Sequence, residues 1–236
     1  MQISAVKTKI IGIGDDIFEK FLETKKELEE NNILSISSKI VALSQNRVRN
    51  ISDYGKNEEE AKEELIKEEA DRIYEGKYTL TLKNGILIPF AGIDASNAPK
   101  GKFILWPENS YEFAKDLHKK LCDHFRTKNL GIIITDSRCQ PLRWGVIGVA
   151  IAWYGFEGVQ DFRGEKDIFG RPLEHTQKAV ADELASASIL VQGEANECSP
   201  FAIIKYAPVS FEVKDDFLRK SHIDPEEDIF KSVLRL

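Results

Sequence analysis

Residues 131–148 read GIIITDSRCQPLRWGVIG, and they place the most concentrated polar chemistry of the chain directly after a buried-strand pattern. The apolar run 131–134 predicts a strand that brings Asp136 and Ser137 to its end, before a loop that carries Arg143. A carboxylate beside a hydroxyl offers hard oxygen ligands, which suit Mg²⁺ or Mn²⁺ and, through the metal, phosphate. An aspartate at a strand end also commonly caps a turn. This stretch alone leaves both interpretations open.

The overall composition is typical of a globular protein. The 236 residues are 42% hydrophobic and 31% charged, which suits one large domain or two small ones. The formal net charge of −6 argues against a nucleic-acid partner or an anionic membrane surface. No apolar run approaches the roughly 20 residues of a membrane span, and the first ten residues lack the apolar segment of a signal peptide. We therefore expect a cytoplasmic protein that binds neither nucleic acid nor membrane.

Cysteine usage agrees with a cytoplasmic location. Cys122, Cys139 and Cys198 are odd in number and never form a CxxC pair, which argues against a disulfide framework or a cysteine zinc site. Cys139 lies in the loop of the opening stretch, but no histidine stands at a telling spacing. Nucleophilic catalysis by this thiol is therefore disfavoured.

Apolar periodicity and turn residues predict alternating strands and helices in the first half of the chain. Asp15 or Asp16 is expected to cap the first helix, and Asn-Gly at residues 84–85 predicts a hairpin. The predicted elements are a strand within residues 1–13, a helix after Asp16, a strand from Ile33 to about Ser37–Lys39 with room for a short helix after it, a solvated helix over Asn57–Tyr74, and strands over Tyr78–Leu82 and Ile86–Phe90.

The second half continues this alternation. The predicted elements are a strand over Lys102–Leu105, a helix capped by Ser110, a fully buried strand over Val146–Trp153, a helix rich in small residues over Thr176–Val191, a strand over Phe201–Tyr206, and an amphipathic tail from Lys214 with Phe217, Leu218, Ile229, Phe230 and Val233 available for docking. Between them, a glycine-punctuated loop carries Asp161, Arg163, Asp167 and Arg171. Its alternating charges are either a self-paired surface or a basic patch for an anionic substrate.

A second polar loop, AGIDASNAPKGK at residues 91–102, surrounds Asp94 and Asn97 with small residues. Small residues let a backbone approach a ligand closely, but Asp-Ala-Ser-Asn is equally a good turn sequence. Glu194 lies in a third such loop. No Walker motif, dinucleotide fingerprint or GxSxG motif explains the three loops, whereas a carboxylate metal site that holds nucleotide phosphates does.

Several long motifs resemble the coenzyme F-420 γ-glutamyl ligases. They cover most of the chain in matching order and comprise GDDI at 14–17, AGIDASN at 91–97, IIITDS…R.G at 132–145 and KDIFGRPLEHTQKAVADELASASILVQGE at 166–194. The resemblance implies an α+β fold with mixed and antiparallel sheets and packed helices. It also implies a single ligase domain over residues 1–236, undivided or built from two subdomains, and an intertwined homodimer.

The resemblance implies a GTP-dependent, or other nucleoside-triphosphate-dependent, amino-acid ligase. Such an enzyme joins L-glutamate in an amide bond to a carboxylate acceptor such as the deazaflavin coenzyme F-420 precursor, through an acyl phosphate. The cofactors implied are two Mg²⁺ or Mn²⁺ ions.

Matching residues then acquire implied roles at the metal centre. Asp94, Asp136 and Glu194 become metal ligands, and Ser137 becomes a ligand of a second metal where family members commonly have Thr. Asp136 and Arg143 become the predicted catalytic residues, Arg143 as a clamp for a phosphorylated or carboxylated acceptor. For Arg143, as for Arg163 and Arg171, a structural salt bridge is an equal alternative.

The nucleotide half of the implied site combines matches with departures. Ser38 and Asn97 match nucleotide contacts, and Gly193 with Glu194 opens the phosphate loop. The family often reads SKAEGR where this chain has ALSQNR, so a nucleotide-binding Lys is replaced by Leu43. The departures also include Ala195, Asn196, Glu197 and Cys198 in place of a glycine-rich stretch, and Thr8 to Ile11 in place of an LPLI-like segment. The alternative function is therefore a catalytically impaired nucleotide- or deazaflavin-binding protein with the same fold.

Overall fold

The computed structural model describes residues 1–55, 57–74, 76–211, 222–224 and 226–234. Of the apolar tail residues, Phe217 and Leu218 lie outside the described residues. The strands are β1 (Gln2–Val6), β2 (Asn32–Ser37), β3 (Val48–Asn50), β4 (Arg72–Tyr74), β5 (Leu80–Lys83), β6 (Ile86–Pro89), β7 (Lys102–Ile104), β8 (Leu130–Cys139), β9 (Val146–Tyr154), β10 (Gln160–Asp161), β11 (Gln177–Lys178) and β12 (Phe201–Lys205). The α-helices are α1 (Ile17–Glu23), α2 (Ser38–Ser44), α3 (Glu58–Glu69), α4 (Ser110–Phe125), α5 (Val180–Gln192) and α6 (Lys231–Leu234).

The central sheet has five strands in the order β1-β12-β2-β8-β9. Only the β2–β8 pair in this sheet is parallel, and the other three pairs are antiparallel. The smaller sheets are β10-β11, β3-β7 and β4-β5-β6. The prediction of an α+β fold with mixed and antiparallel sheets is therefore confirmed.

Successive side chains of a strand point to opposite faces of the sheet, so the apolar strands of the central sheet present apolar side chains on both faces. Helices cover both of these faces. Helices α1 and α4 pack Phe21, Leu117 and Leu121 on the face that carries Ile132 and Ile134. Helix α5 packs on the opposite face, in a second buried cluster. Small residues allow α5 to approach β9 closely. A Cβ at Gly148 of β9 would lie 2.6 Å from the backbone of Ala185 of α5.

Helix α3 and the small strands form a third apolar cluster beside the sheet. Leu65 packs with Ile93, Phe103 and Leu105. The prediction of one helix over Asn57–Tyr74 is correct only to Glu69, because the chain then becomes extended and Asp71 N donates to Leu82 O. The following residues form strand β4 instead, paired with β5.

The predicted turns and caps are mostly confirmed. Asp16 caps α1 by accepting from Phe18 N and Glu19 N, and Asn57 accepts from Glu60 N. Asn84 and Gly85 join β5 to β6, both at positive φ, as a two-residue hairpin turn requires. The expected cap of α4 was wrong by one residue, since Asn109 is the N-cap and Ser110 begins the helix.

Two further observations concern the environment of the chain. Cys122, Cys139 and Cys198 are free thiols. In the described part of the chain, no helix is both long and apolar enough to cross a membrane.

Candidate functional site

The candidate site lies where the parallel pair of the central sheet ends. The last residue pair between β2 and β8 is Ser37 with Thr135. Ser38 comes directly after Ser37 in the sequence, and Asp136 comes directly after Thr135. Asp136 was expected at the end of a strand, but β8 continues to Cys139 because β9 pairs with it as far as Val146. A register shift between β8 and β9 lies just before Asp136, a feature common beside active sites. The Asp136 carboxylate therefore lies where β2 has ended and only β8 and β9 remain paired.

Both oxygens of Asp136 accept hydrogen bonds. The indole Nε1–H of Trp106 donates to Oδ2, and the Ser137 amide donates to Oδ1 at 2.7 Å. The Ser38 hydroxyl also hydrogen-bonds to this carboxylate. Burial raises the pKa of Asp136 above its ordinary value, and these donors oppose that rise without cancelling it.

Asp94 is held by its backbone and by a cation. Its N–H and C=O exchange 2.9 Å hydrogen bonds with Ile104. Lys39 Nζ lies 2.8 Å from Asp94 Oδ2, and the Ser96 amide donates to Oδ1 at 2.6 Å. Burial acts to raise the pKa of Asp94, but Lys39 and Ser96 outweigh it and hold the pKa below its ordinary value. This carboxylate is therefore ionised and paired.

The Asp94 loop touches the loop that follows α5. Asn97 Nδ2 donates to Ala195 O at 2.8 Å, although the two residues are far apart in sequence. Thr8 N donates to Cys198 O at 2.9 Å, so the N-terminal segment borders the same loop. Gly193 ends α5 with φ of 85°. Three segments that were singled out separately in the sequence thus meet.

Glu194 interacts electrostatically with the other carboxylates. Partial burial raises the pKa of Glu194, and the negative charges of Asp136, Glu197 and Asp94 act in the same direction. Lys39 opposes them. The structure therefore brings the predicted residues Ser38, Asp94, Asn97, Asp136, Ser137, Gly193 and Glu194 into one region.

Sequence reasoning missed Lys39, the cation at the centre of this region. Besides its ion pair with Asp94, Lys39 Nζ donates to the Ser96 carbonyl at 3.0 Å. It also acts on the pKa of both Asp136 and Glu194. The sequence feature that could have identified Lys39 is its position directly after Ser38, where a strand is followed by a helix.

The carboxylate oxygens of this region are donors of the kind that suits Mg²⁺ or Mn²⁺. Among the described residues, no group of three or more His, Cys, Asp or Glu is arranged to hold a metal ion. Mg²⁺ is usually held by one or two carboxylates together with substrate phosphates, and it keeps several waters. Asp94 and Asp136, with Glu194 nearby, supply the oxygen chemistry for such a site.

The three arginines considered as clamps lie on exposed loops. Arg143 lies in the exposed tip between β8 and β9, beyond the end of the strand that carries Asp136. Arg163 pairs with Asp161, with Nε 2.9 Å from Oδ1, and Arg171 Nε lies 3.0 Å from Asp167 Oδ2. The glycine-punctuated loop is thus a self-paired surface, and the clamp role of Arg143 stays a prediction.

The departures in the nucleotide half have structural counterparts. The Leu43 side chain is only 5% exposed and packs with Ala42 and Ile104 in a small core. Glu197 Oε2 accepts from the Ala195 amide at 2.9 Å, so this carboxylate engages an amide of the predicted phosphate loop. A Cβ at Gly193 would also collide with the Glu197 carboxylate.

Comparison with known proteins identifies relatives over nearly the whole chain. The family model described as F420-0:Gamma-glutamyl ligase matches residues 5–206. A protein of Methanococcus maripaludis named coenzyme F420:L-glutamate ligase is 32% identical over 98% of this chain and 97% of its own length. Proteins of the same name from Methanopyrus kandleri and Haloarcula marismortui are 34% and 32% identical, over 92% and 94% of this chain and 92% of each relative. The chain therefore belongs to the F420-0:gamma-glutamyl ligase family.

Proposed function

We propose that this protein is a metal-dependent, nucleoside-triphosphate-driven ligase that joins L-glutamate to a carboxylate acceptor. Relatives at about this level of identity are named coenzyme F420:L-glutamate ligase, which supports a coenzyme F-420 precursor as the acceptor. GTP is the nucleotide that the family resemblance implies. Ser38, Asn97, Gly193 and Glu194 are the proposed nucleotide-binding residues.

One observation carries the proposal. Four separate segments converge on Lys39 and its carboxylate partners: the β2–α2 junction, the Asp94 loop, strand β8 and the loop after α5. Burial raises the pKa of Asp136 and Glu194, and the neighbouring carboxylates raise that of Glu194 further. Carboxylates with a pKa raised in this way are typical of functional sites. A divalent cation with bound phosphate would balance this charge.

The proposed chemistry has two steps. An oxygen of the acceptor carboxylate attacks the γ-phosphorus of the nucleotide, and the nucleoside diphosphate leaves. The amine of glutamate then attacks the acyl carbon, and phosphate leaves. Divalent metal would stabilise charge on the transferring phosphoryl group when bound by Asp94, Asp136 and Glu194, with Ser137 near a second ion.

The residues of the chain contribute positioning and charge. Lys39 holds the Asp94 loop against α2, and Asn97 ties that loop to Ala195. Asn97 thereby joins the Asp94 loop to the proposed phosphate loop. Closure of these loops over bound substrate would limit the hydrolysis of an acyl phosphate.

Asp136→Asn tests the function directly. We expect the variant to lose Mn²⁺ affinity and about 100-fold or more of turnover, because a neutral amide is a poor ligand for a hard cation. Nucleoside diphosphate release is measured with Mn²⁺, radiolabelled glutamate, a panel of nucleotides and candidate acceptors. Release by the wild type should require both glutamate and acceptor.

Asp123→Asn on the exposed surface of α4 is the matched control and should behave as the wild type. If Asp136→Asn keeps both metal affinity and turnover, the metal-site assignment is wrong.

The buried Leu43 and the carboxylate of Glu197 favour a second candidate function. A protein without the family Lys, and with a negative charge on its phosphate loop, is suited to binding a nucleotide or deazaflavin without turnover. Tight nucleotide binding with no acceptor-dependent release in the same assay would select this alternative.

We also propose that the protein acts as a homodimer, as the family resemblance implies. Large apolar side chains lie exposed at three places in the second half of the chain: Leu142 and Trp144, Ile168 and Phe169, and Leu190. Exposed apolar surface of this kind is typical of protein interfaces. A second copy of the chain is the proposed partner.

A further inference from the structure

Trp106 connects the interior of the protein to the proposed metal site. The residue is 2% exposed, yet its indole N–H reaches Asp136 Oδ2. The other oxygen of this carboxylate is held by the neighbouring Ser137 amide, which belongs to the same strand. Trp106 and the Ser38 hydroxyl therefore orient this carboxylate from outside β8, and Trp106 does so through its indole N–H.

The segment that carries Trp106 also fixes Asp94. Ile104 exchanges two backbone hydrogen bonds with Asp94, and Trp106 follows two residues later. At about 3.3 Å per extended residue, the backbones of Ile104 and Trp106 lie at most roughly 7 Å apart. A single short segment thus sets the position of both carboxylates.

The indole ring is itself held in place. Arg47 Nε donates to the Trp106 carbonyl at 3.1 Å. Gly92 packs against the ring, where a Cβ would lie 2.3 Å from the indole nitrogen, and its φ of 72° also favours glycine. The ring therefore has little freedom to turn away from Asp136.

We propose that Trp106 is a positioning residue, whose indole N–H fixes the Asp136 carboxylate at a set distance from Asp94 for binding of a divalent cation. The inference rests on the metal-dependent function proposed above. A carboxylate oxygen that accepts one hydrogen bond keeps a lone pair for a metal. Partners that orient metal ligands in this way typically change metal affinity by about 10- to 100-fold when removed.

The test compares Mn²⁺ affinity, measured by calorimetry with nucleotide present, in Trp106→Phe and Trp153→Phe. Trp153 lies in β9 opposite Ile133, so its variant is a tryptophan control in the sheet that carries Asp136. We expect Trp106→Phe to bind Mn²⁺ about 10- to 100-fold more weakly, and Trp153→Phe to remain within about twofold of the wild type. In the Asp136→Asn background, Trp106→Phe should cause no further loss, because it acts through that carboxylate.

A metal-free spectrum gives an independent readout that does not require the Trp106 variant to fold well. In ¹⁵N-indole-labelled protein, the Trp106 signal is the one that persists in both Trp144→Phe and Trp153→Phe. This signal should move in Asp136→Asn, and the Trp144 and Trp153 signals should not. A stationary Trp106 signal overturns the proposal.

The affinity outcomes separate this inference from the proposed function. Mn²⁺ binding that depends on Asp136 but not on Trp106, or losses that add fully in the double variant, overturns the positioning role alone. A wild type that binds no Mn²⁺ overturns the proposed function and the role of Trp106 with it.

Discussion

Lys39 is the cation that lies among the proposed metal ligands. Its ammonium group lies 2.8 Å from Asp94 Oδ2 and acts on Asp136 and Glu194 as well. A divalent ion that binds Asp94 would therefore compete with Lys39 for this carboxylate. A displaced Lys39 side chain would be available to pair with phosphate, a role that the uncharged and buried Leu43 cannot fill.

This geometry predicts effects of opposite sign for Lys39→Met. Without nucleotide, the variant should bind Mn²⁺ about two- to fivefold more tightly, since a partly exposed ion pair that competes with the metal is worth up to about 1 kcal/mol. Nucleotide affinity should fall about tenfold or more, as expected for a lost charge-assisted hydrogen bond of about 1.5 kcal/mol. Calorimetry with each ligand alone measures both effects.

Lys100→Met, an exposed change in the Asp94 loop, is the control and should alter neither affinity. Weaker Mn²⁺ binding by Lys39→Met in the absence of nucleotide would contradict the competition between Lys39 and the metal.

At the scale of elements, a nearly buried ion network joins α3 and β5 to the segment that carries Trp106. Glu69 at the end of α3 accepts from Arg47 Nη2 at 2.7 Å and from Lys83 Nζ at 2.6 Å. Arg47 also donates to the Trp106 carbonyl. Burial acts to raise the pKa of Glu69, but Lys83 and Arg47 outweigh it and hold the pKa below its ordinary value of 4.5.

Glu69→Gln should destabilise the fold by about 3 to 5 kcal/mol near pH 7, because it leaves two poorly solvated cations without their carboxylate. A carboxyl whose folded pKa is depressed stabilises the protein above its unfolded pKa, and this contribution is lost as the pH falls through the folded pKa. The difference in the free energy of unfolding between Glu69→Gln and the wild type should therefore shrink below about pH 4.5. Urea unfolding between pH 7 and pH 3.5 measures it.

Glu64→Gln is the matched control on the same helix, since the Glu64–Lys67 pair is exposed. We expect little change in the free energy of unfolding for this variant. If the free energy of unfolding of Glu69→Gln differs from that of the wild type by the same amount across the pH range, the depressed pKa of Glu69 is contradicted.

At the scale of the whole molecule, the hairpin that continues β8 past the sheet carries its apolar side chains into solvent. Leu142 and Trp144 are each 104% exposed relative to a reference residue. The first residues of β9, Val146 and Ile147, are also exposed, so the strand that was expected to be fully buried is buried only from residue 148 to residue 152. A second copy of the chain that covers this tip would remove its apolar surface from water.

Trp144→Glu should therefore shift the proposed dimer toward monomer, because a charge would be buried in an apolar contact. Sedimentation velocity over a range of protein concentrations measures the shift. Tyr78→Glu, an equally drastic change at an exposed aromatic residue near β5, should leave the association unchanged. A wild type that is monomeric at every concentration, or a Trp144 variant that remains dimeric, would contradict the proposed interface.

Local sequence determined the elements whose signals lie within a few residues. The caps Asp16 and Asn57, the Asn84–Gly85 turn and the apolar run of β8 were all readable, because each depends on near neighbours along the chain. The motifs around Asp94 and Asp136 also identified the family before any fold was known. Local pattern failed where pairing decided the outcome, as at β4, which follows α3 because its backbone pairs with β5.

Only the tertiary structure decided which residues share the site. The partner of Lys39 at Ser96 is 57 residues away, and the partner of Trp106 at Asp136 is 30 residues away. Propensity and periodicity carry no information about such contacts, since they arise from strand order and from the packing of loops over the sheet end. The sequence by itself determined the family and the carboxylates, and the fold decided the cation and the indole that hold them in place.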